Sequence, residues 1–209
     1  MTARTTDDRP RASGRRRPVW RWIAGGAALI VVLVVVAIVV VMTAGARPAV
    51  APTELLAGGD LSGERTVWTN PTDTPSHHDG YWSGDVAGRG WESTDGQLVE
   101  RVIRYGSPGA ARWKSLLADP VRNHCEPPEC DQSREIAVPA GFAADWARMA
   151  CYDSEHRCFQ FYYVARYGQY VVEFRYDAPL TAAGNPLSDD EFTALAAQID
   201  KHLKSRLGG

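Results

Sequence analysis

The chain lacks the short motifs by which several enzyme classes are recognised. Its 209 residues contain no G-x-S-x-G nucleophile elbow, no H-E-x-x-H or S-x-x-K motif and no glycine-rich phosphate-binding loop. Catalytic triads assemble from residues that are distant in sequence, so these absences argue against an enzyme without excluding one. We expect no catalytic site, no cofactor and no bound metal.

Lysine is scarce, and the charged residues are unevenly distributed along the chain. Lysine occurs at three positions among 23 basic residues, a bias typical of GC-rich genomes. Residues 1–21 hold seven arginines and two aspartates, a net charge of +5, so the rest of the chain carries −7 within the total of −2. Proteins that bind nucleic acid place their positive charge on the folded domain. The acidic remainder therefore argues against a nucleic-acid partner.

No charged residue occurs between Arg21 and Arg47. The run from Ile23 to Val41 includes thirteen isoleucine, leucine or valine residues. About 20 apolar residues in a helix span the roughly 30 Å of hydrocarbon in a bilayer. The sequence therefore predicts a transmembrane helix over residues 22–45, which makes the membrane itself a partner. The alternative is a cleaved signal peptide, but its apolar core is ordinarily about 7–15 residues long, which is shorter than this run.

Arginine asymmetry predicts the orientation of that helix. Seven arginines precede the span and Arg47 alone follows it closely, and positively charged flanks stay in the cytoplasm. We expect a disordered basic cytoplasmic tail over residues 1–21, a linker over 46–62 and an extracytoplasmic domain over 63–209. The chain is then a single-pass protein of the cytoplasmic membrane. Its oligomeric state stays open.

The periodicity of the domain predicts an α+β fold, in which an antiparallel sheet is packed by helices. A capping box at Ser188 and Glu191 opens a C-terminal amphipathic helix that extends to about residue 206. Alternating segments predict a β-hairpin over residues 159–176, with strands upstream at 97–105 and 146–152. A short helix over 107–118 has an apolar stripe of the following residues: Ala110, Trp113, Leu116 and Leu117.

Four cysteines lie in the predicted extracytoplasmic part, where disulfides form. Four cysteines permit three connectivities, of which we favour the two local bonds, Cys125–Cys130 and Cys151–Cys158. Each would close a short loop and stabilise the fold by about 2–2.5 kcal/mol in the chain-entropy model. A metal site formed by His124, Cys125, Cys130 and His156 is the less favoured alternative, because this spacing is not that of structural zinc sites.

Two further groups of residues are candidates for function. Ser76, His77, His78 and Asp79 form the one local cluster with acid–base character, in a stretch that is typical of a mobile loop. The domain is also rich in aromatic residues, which ordinarily fill a core but can also stack on a sugar. Trp68 and Trp82 lie in loop-like sequence, so we expect these two at the surface as ligand-binding candidates.

The order of elements from Leu98 onward resembles a known arrangement. A strand ending at Arg104 and Tyr105 leads into a helix, and a cysteine pair, the hairpin over residues 164–172 and a terminal helix follow. This order is similar to that of uncharacterised actinobacterial ectodomains held by a single membrane helix. More distantly, it resembles the PsbP-like domains of extracytoplasmic lipoproteins and sensors. The resemblance implies a layered α/β sandwich with a ligand groove and carries over no functional residue.

These patterns together predict a membrane-anchored extracytoplasmic binding, sensor or accessory module of the cell envelope, whose partner is an envelope protein or glycan. Two alternatives stay open. One is an extracytoplasmic hydrolase that uses the loop of His77, His78 and Asp79. The other is a purely structural envelope protein.

Overall fold

A computed structural model describes residues 19–64, 66–78, 84–93, 95–117, 133–154, 157–178 and 187–208. The chain divides into two compact units, the first ending at Val40 and the second beginning at Val41. The first contains most of helix α1 (Val19–Thr43), whose large apolar side chains from Leu29 to Met42 are exposed. Within the part of the chain that the structure describes, no helix has the length and apolarity needed to cross a membrane.

The second unit is built on an antiparallel sheet of seven strands, ordered β3-β4-β5-β9-β8-β7-β6, with a separate two-stranded sheet of β1 and β2. The strands are β1 (Leu61–Ser62), β2 (Val67–Trp68), β3 (Thr72–His78), β4 (Asp85–Ser93), β5 (Gly96–Arg104), β6 (Ser133–Ile136), β7 (Trp146–Ser154), β8 (Arg157–Tyr167) and β9 (Tyr170–Asp177). The helices are α2 (Pro52–Leu55), α3 (Pro108–Leu117) and α4 (Asp189–Leu207). The predicted α+β class with an antiparallel sheet packed by helices is confirmed.

One face of the sheet forms the main core. Side chains alternate between the faces of a strand, and Tyr170, Val172, Phe174 and Tyr176 on β9 are all fully buried, as the alternation predicts. The β8–β9 hairpin turns through two residues, Gly168 and Gln169. Gly168 allows the tight turn because its φ of 60° lies in the left-handed region, which glycine adopts without a steric penalty.

Helix α4 covers this core face. Its predicted capping box is present, with the Ser188 hydroxyl accepting from the Glu191 N–H at 3.2 Å and the Glu191 carboxylate accepting from the Ser188 N–H at 2.8 Å. Leu187 and Phe192 are buried as expected of a hydrophobic staple. Phe192 stacks on Phe174 of β9 with 5.6 Å between ring centroids, which fixes the helix on the sheet.

Helix α3 packs on the opposite face of the sheet, which we call the second face. The side of the helix that faces the sheet differs in part from the predicted one. Ser107 caps its start, accepting from the Ala110 N–H at 3.2 Å. Pro108, Ala111 and Ser115 are buried and Ala110 is partly buried, whereas Trp113 and Leu116 are 58% and 66% exposed. The predicted apolar stripe is therefore wrong at Trp113 and Leu116 and confirmed at Ala110, and the side chain of Leu117 is not among those described. This ten-residue helix has apolar residues on more than one side, and small residues face the sheet.

Residues 46–62, predicted as a linker, are part of the folded unit. This stretch contains α2 and β1, and Leu55, Leu56 and Leu61 are all at most 3% exposed within the main core. The boundary near Gly63 is therefore corrected, because the folded unit extends through these residues. The sequence offered only a pair of leucines in a Pro/Ala/Gly context, too short a signal to assign to the core.

Side chains of the sheet hold this stretch in place, and we call residues 47–62 the strap. At its start, the Arg47 N–H donates to the Gln169 side chain at 2.8 Å, and the Gln169 amide donates to the Arg47 carbonyl at 2.7 Å. The Val50 N–H donates to the Tyr170 hydroxyl at 2.7 Å. These bonds attach the strap to the β8–β9 turn.

The predicted Cys151–Cys158 disulfide is confirmed, with 5.6 Å between the Cα atoms. It links β7 and β8 diagonally, because Cys151 lies opposite Phe161 and a bulge follows Tyr152 in the ladder. Cys125, Cys130, His124 and His156 lie outside the described residues, so the second pairing stays a prediction.

Substitution of Leu55 by alanine tests the strap as a structural element. Truncating a fully buried leucine should lower the free energy of unfolding by about 2–5 kcal/mol. Thr53→Ala in the same helix is the matched control, and its exposed side chain should leave stability within about 0.5 kcal/mol. Thermal unfolding of both variants measures the difference. Equal stabilities would show that residues 46–62 act as a free linker.

Candidate functional site

A groove of about 490 Å³ lies on the second face of the sheet, where β3, β4 and β5 meet the loop before β3. Its lining is mostly polar and comprises Thr69, Asn70, Thr72, Thr74, Arg89, Gly90, Glu92, Gln97 and Val99. The set combines hydroxyl, amide and carboxylate groups with one apolar side chain on β5. Such a surface can donate and accept hydrogen bonds while packing against an apolar patch.

The strand register explains why the face is hollow at this point. Thr72, Gly90 and Val99 lie directly opposite one another across the three strands, so they share one face. The middle position has no side chain, which lowers the floor of the groove between its neighbours. Gly88, two residues earlier on the same face, lies opposite Thr74 and also has no side chain.

The groove lies at one end of the sheet. In the ladder of β5 and β9, Gln97 lies opposite Asp177, and Arg104 lies opposite Tyr170. Seven residues separate Gln97 from Arg104, which at about 3.4 Å per residue amounts to roughly 24 Å. The strap begins at the Tyr170 end, so the groove is at the far end of the strands from the point where the strap enters the fold.

Two side chains of β4, those of Arg89 and Trp91, bind the strap. Arg89 donates to the Asp73 carboxylate at 2.8 Å and also to the Ala57 carbonyl. The hydrogen bond from Arg89 lowers the pKa of Asp73 below its ordinary value, against a smaller opposing effect of burial. The Trp91 indole N–H donates to the Gly59 carbonyl at 3.1 Å. Together these bonds hold the strap beneath β4.

Glu100 is a fully buried acid at the same place. One carboxylate oxygen accepts from the Ala57 N–H at 2.8 Å, and the other has no hydrogen-bond partner among the described residues. Burial raises the pKa of Glu100 to about 7, although the hydrogen bond from Ala57 and the positive charge of Arg89 both lower it. Its side chain points into the core, away from the groove, so its role is to hold the strap.

A second buried polar chain joins α4 to the sheet. The Tyr163 and Tyr167 hydroxyls are 3.0 Å apart, and Tyr167 donates to Asp200 at 2.7 Å. Asp200 also accepts from the Ala143 N–H at 2.9 Å. Burial raises the pKa of both tyrosines above the ordinary range. Each described group has a protein partner, so this chain is a structural tie.

The predicted acid–base cluster does not form a described site. His77 and His78 lie in the edge strand β3, opposite Val86 and Asp85, whereas the sequence predicted a mobile loop. That prediction is corrected, because the residues pair with β4. Asp79 lies outside the described residues. Among the described residues, no group of histidine, cysteine and acidic side chains is placed to hold a metal ion.

The two tryptophans proposed as ligand contacts have different outcomes. Trp68 is fully buried and packs edge-on against Tyr176, with 6.0 Å between ring centroids. The predicted surface position of Trp68 is wrong, since strand β2 turns its side chain into the core, out of reach of a ligand. Trp82 lies outside the described residues.

The groove residues were missed because they come from three strands and one loop. None of them forms a local motif, and only the register places Thr72, Gly90 and Val99 together. The repeated glycines of β4, in an otherwise ordinary strand, were the one available signal, since glycine in a strand often marks a close approach or an opening.

Comparison of the chain with protein-family models, with curated proteins and with solved structures finds no match.

The buried Glu100 should make stability depend on pH. Its pKa is about 7 in the folded state and near 4.5 in the unfolded state, so the folded protein holds more protons between these values. Stability should therefore fall as pH rises from about 4.5 to 7, by on the order of 3 kcal/mol in total.

Glu100→Gln tests this dependence, because the glutamine oxygen can still accept from Ala57. Thermal unfolding of both proteins from pH 4.5 to 8 should show a difference in stability that grows with pH in favour of the variant. His202 acts in the opposite direction in this range, since burial and the charges of Arg206 and Arg89 lower its pKa. It contributes equally to both proteins and cancels in the difference. A difference that is flat with pH would contradict the raised pKa.

Proposed function

We propose that the protein is a membrane-anchored extracytoplasmic binding module of the cell envelope, and that the groove on β3, β4 and β5 is its ligand site. The observation that carries the proposal is a polar groove of about 490 Å³ at the end of the sheet remote from the strap. The predicted anchor precedes the strap, and the strap enters the second unit at the end of the sheet opposite the groove.

The sequence supports the anchor. The charge-free run between Arg21 and Arg47 is long enough to span a bilayer, and seven arginines precede it. The Cys151–Cys158 disulfide is compatible with an oxidising compartment, which is where such bonds persist.

The chemistry of the groove favours a hydroxyl-rich ligand such as a glycan. Threonine hydroxyls and the side chains of Asn70, Glu92 and Gln97 provide donors and acceptors without a large net charge. Val99 offers an apolar patch for the C–H face of a sugar ring. A glycan also suits the location, because a domain at the outer face of the membrane is surrounded by envelope polysaccharide.

Filling the groove tests the ligand site. Gly90→Thr places a side chain over the floor, and its Cβ would meet only the Leu98 carbonyl at 3.7 Å, an ordinary contact. Threonine also suits a strand, so the fold should be retained. Gly58→Thr is the matched control, because Gly58 is exposed, is not part of the groove lining and leaves open space around a Cβ.

The probes are short oligosaccharides of N-acetylglucosamine, glucose and arabinose, titrated calorimetrically against the full chain in lipid nanodiscs. We expect one class to bind, with affinity lowered roughly tenfold or more by Gly90→Thr, equivalent to about 1.4 kcal/mol, and unchanged by Gly58→Thr. Binding that both variants retain equally would place the ligand elsewhere, and no binding by any class would remove the glycan from the proposal.

The distribution of lysine gives a direct test of topology. All three lysines, Lys114, Lys201 and Lys204, lie in the second unit, and residues 1–21 contain none. A membrane-impermeant amine reagent applied to intact cells should modify the exposed Lys201 and Lys204 and spare the N-terminal amine. After lysis the N-terminal amine should react as well. Labelling of the N-terminal amine in intact cells would reverse the orientation.

A further inference from the structure

Helix α3 presents an exposed apolar pair on its outer side. Trp113 and Leu116 are 58% and 66% exposed, three residues apart on one side of the helix. Arg112 and Lys114 stand beside them. A tryptophan and a leucine framed by basic side chains is a composition typical of elements that rest on a lipid surface.

The buried side of the helix fixes this orientation. Ala111 is fully buried in the small cluster on the second face, together with Val164 and Val171. Ser115 is 3% exposed, and its hydroxyl accepts from Arg166 of β8 at 3.3 Å. The helix is therefore fixed on the sheet, and the apolar pair is held outward.

Helix α3 lies at the end of the sheet where the strap enters. Its Gly109 is so close to Met42 that a Cβ on the glycine would lie 2.3 Å from the methionine sulfur. The Tyr105 N–H at the entry to α3 donates to the Gln169 carbonyl at 2.8 Å, in the same turn that binds Arg47. Within the second unit, α3 is thus packed against Met42, at the C-terminal end of the predicted transmembrane segment.

We propose that α3 rests on the outer leaflet of the bilayer, with Trp113 and Leu116 inserted at the boundary between headgroups and acyl chains. The inference depends on the anchor of the proposed function, whose C-terminal end and the residues after it, Ala46 and Arg47, would lie at the membrane surface. Tryptophan is favoured at that depth, and Arg112 and Lys114 would contact anionic headgroups. With the strap and α3 both at the membrane, the sheet has two points of support at one end.

Quenching by brominated lipid tests the contact in the full chain. The protein is reconstituted in vesicles of phosphatidylcholine with a minor fraction of phosphatidylglycerol, with and without bromine on the acyl chains. The emission removed by Trp113→Phe is then measured in both kinds of vesicle. We expect the Trp113 emission to be roughly twofold or more lower in the brominated vesicles. Trp113 is exposed, so its substitution should leave the fold intact.

Two other variants separate this inference from the anchor on which it depends. Trp20 and Trp22 flank the start of the predicted span, so we expect them at its cytoplasmic interface, where tryptophan is favoured. The emission lost in a variant with Trp20→Phe and Trp22→Phe should therefore also be quenched in brominated vesicles. Quenching of Trp20 and Trp22 without quenching of Trp113 would overturn the inference and leave the anchor in place. Absence of both would overturn the anchor.

Leu116→Gln provides the second measurement. It should weaken the quenching of Trp113 by reducing the apolar surface of the same site, while the quenching of Trp20 and Trp22 stays unchanged. Trp113 that is shielded in native cell membranes but unquenched in lipid vesicles would overturn the lipid contact and indicate a protein partner for this surface.

Discussion

The antiparallel register of β5 with β9 determines where every functional element of the second unit lies. It places Arg104 beside Tyr170 at one end of the sheet and Gln97 beside Asp177 at the other. The strap and α3 gather at the first end, because the β8–β9 turn binds the strap there and the strand β5 leads directly into the helix. The groove forms at the second end, where the glycines of β4 leave the second face hollow. The groove and the start of the strap are thereby separated by the length of the strands.

The strap is fixed to the sheet by hydrogen bonds and by burial. A flexible linker of the predicted length would have no fixed position on the sheet. Instead, Arg47 and Gln169 exchange two hydrogen bonds that fix the start of the strap. Side chains of β4 and β5 bind the backbone N–H and the carbonyl of Ala57. Burial of Leu55 and Leu56 adds the apolar contribution that keeps these bonds away from water. The strap is therefore part of the core.

The sequence predicted those elements whose patterns are long and consistent. Alternation over β8 and β9 and the capping box of α4 identified the hairpin, the core face of β9 and the last helix correctly. Shorter signals failed for physical reasons. Ten residues of α3 are apolar on two sides, and only the packing of Ala111 against the sheet decides between them. Trp68 stands in a loop-like context, yet a two-residue strand turns it inward. The groove had no local signature, since it exists only through the pairing of three strands.

The alternation of β5 joins the two roles of this domain in one strand. Val99 faces the groove, and its neighbour Glu100 faces the core, where it holds the Ala57 N–H of the strap. A shift of one residue in the register would exchange the two faces, burying Val99 under the strap and placing the acid in the groove. Such a shift is opposed by the fully buried Leu98 and Val102, which share the core face with Glu100. The Glu100 carboxyl oxygen without a hydrogen-bond partner among the described residues lowers stability. The other oxygen accepts from the Ala57 N–H, and this bond fixes the position of the strap relative to the floor of the groove.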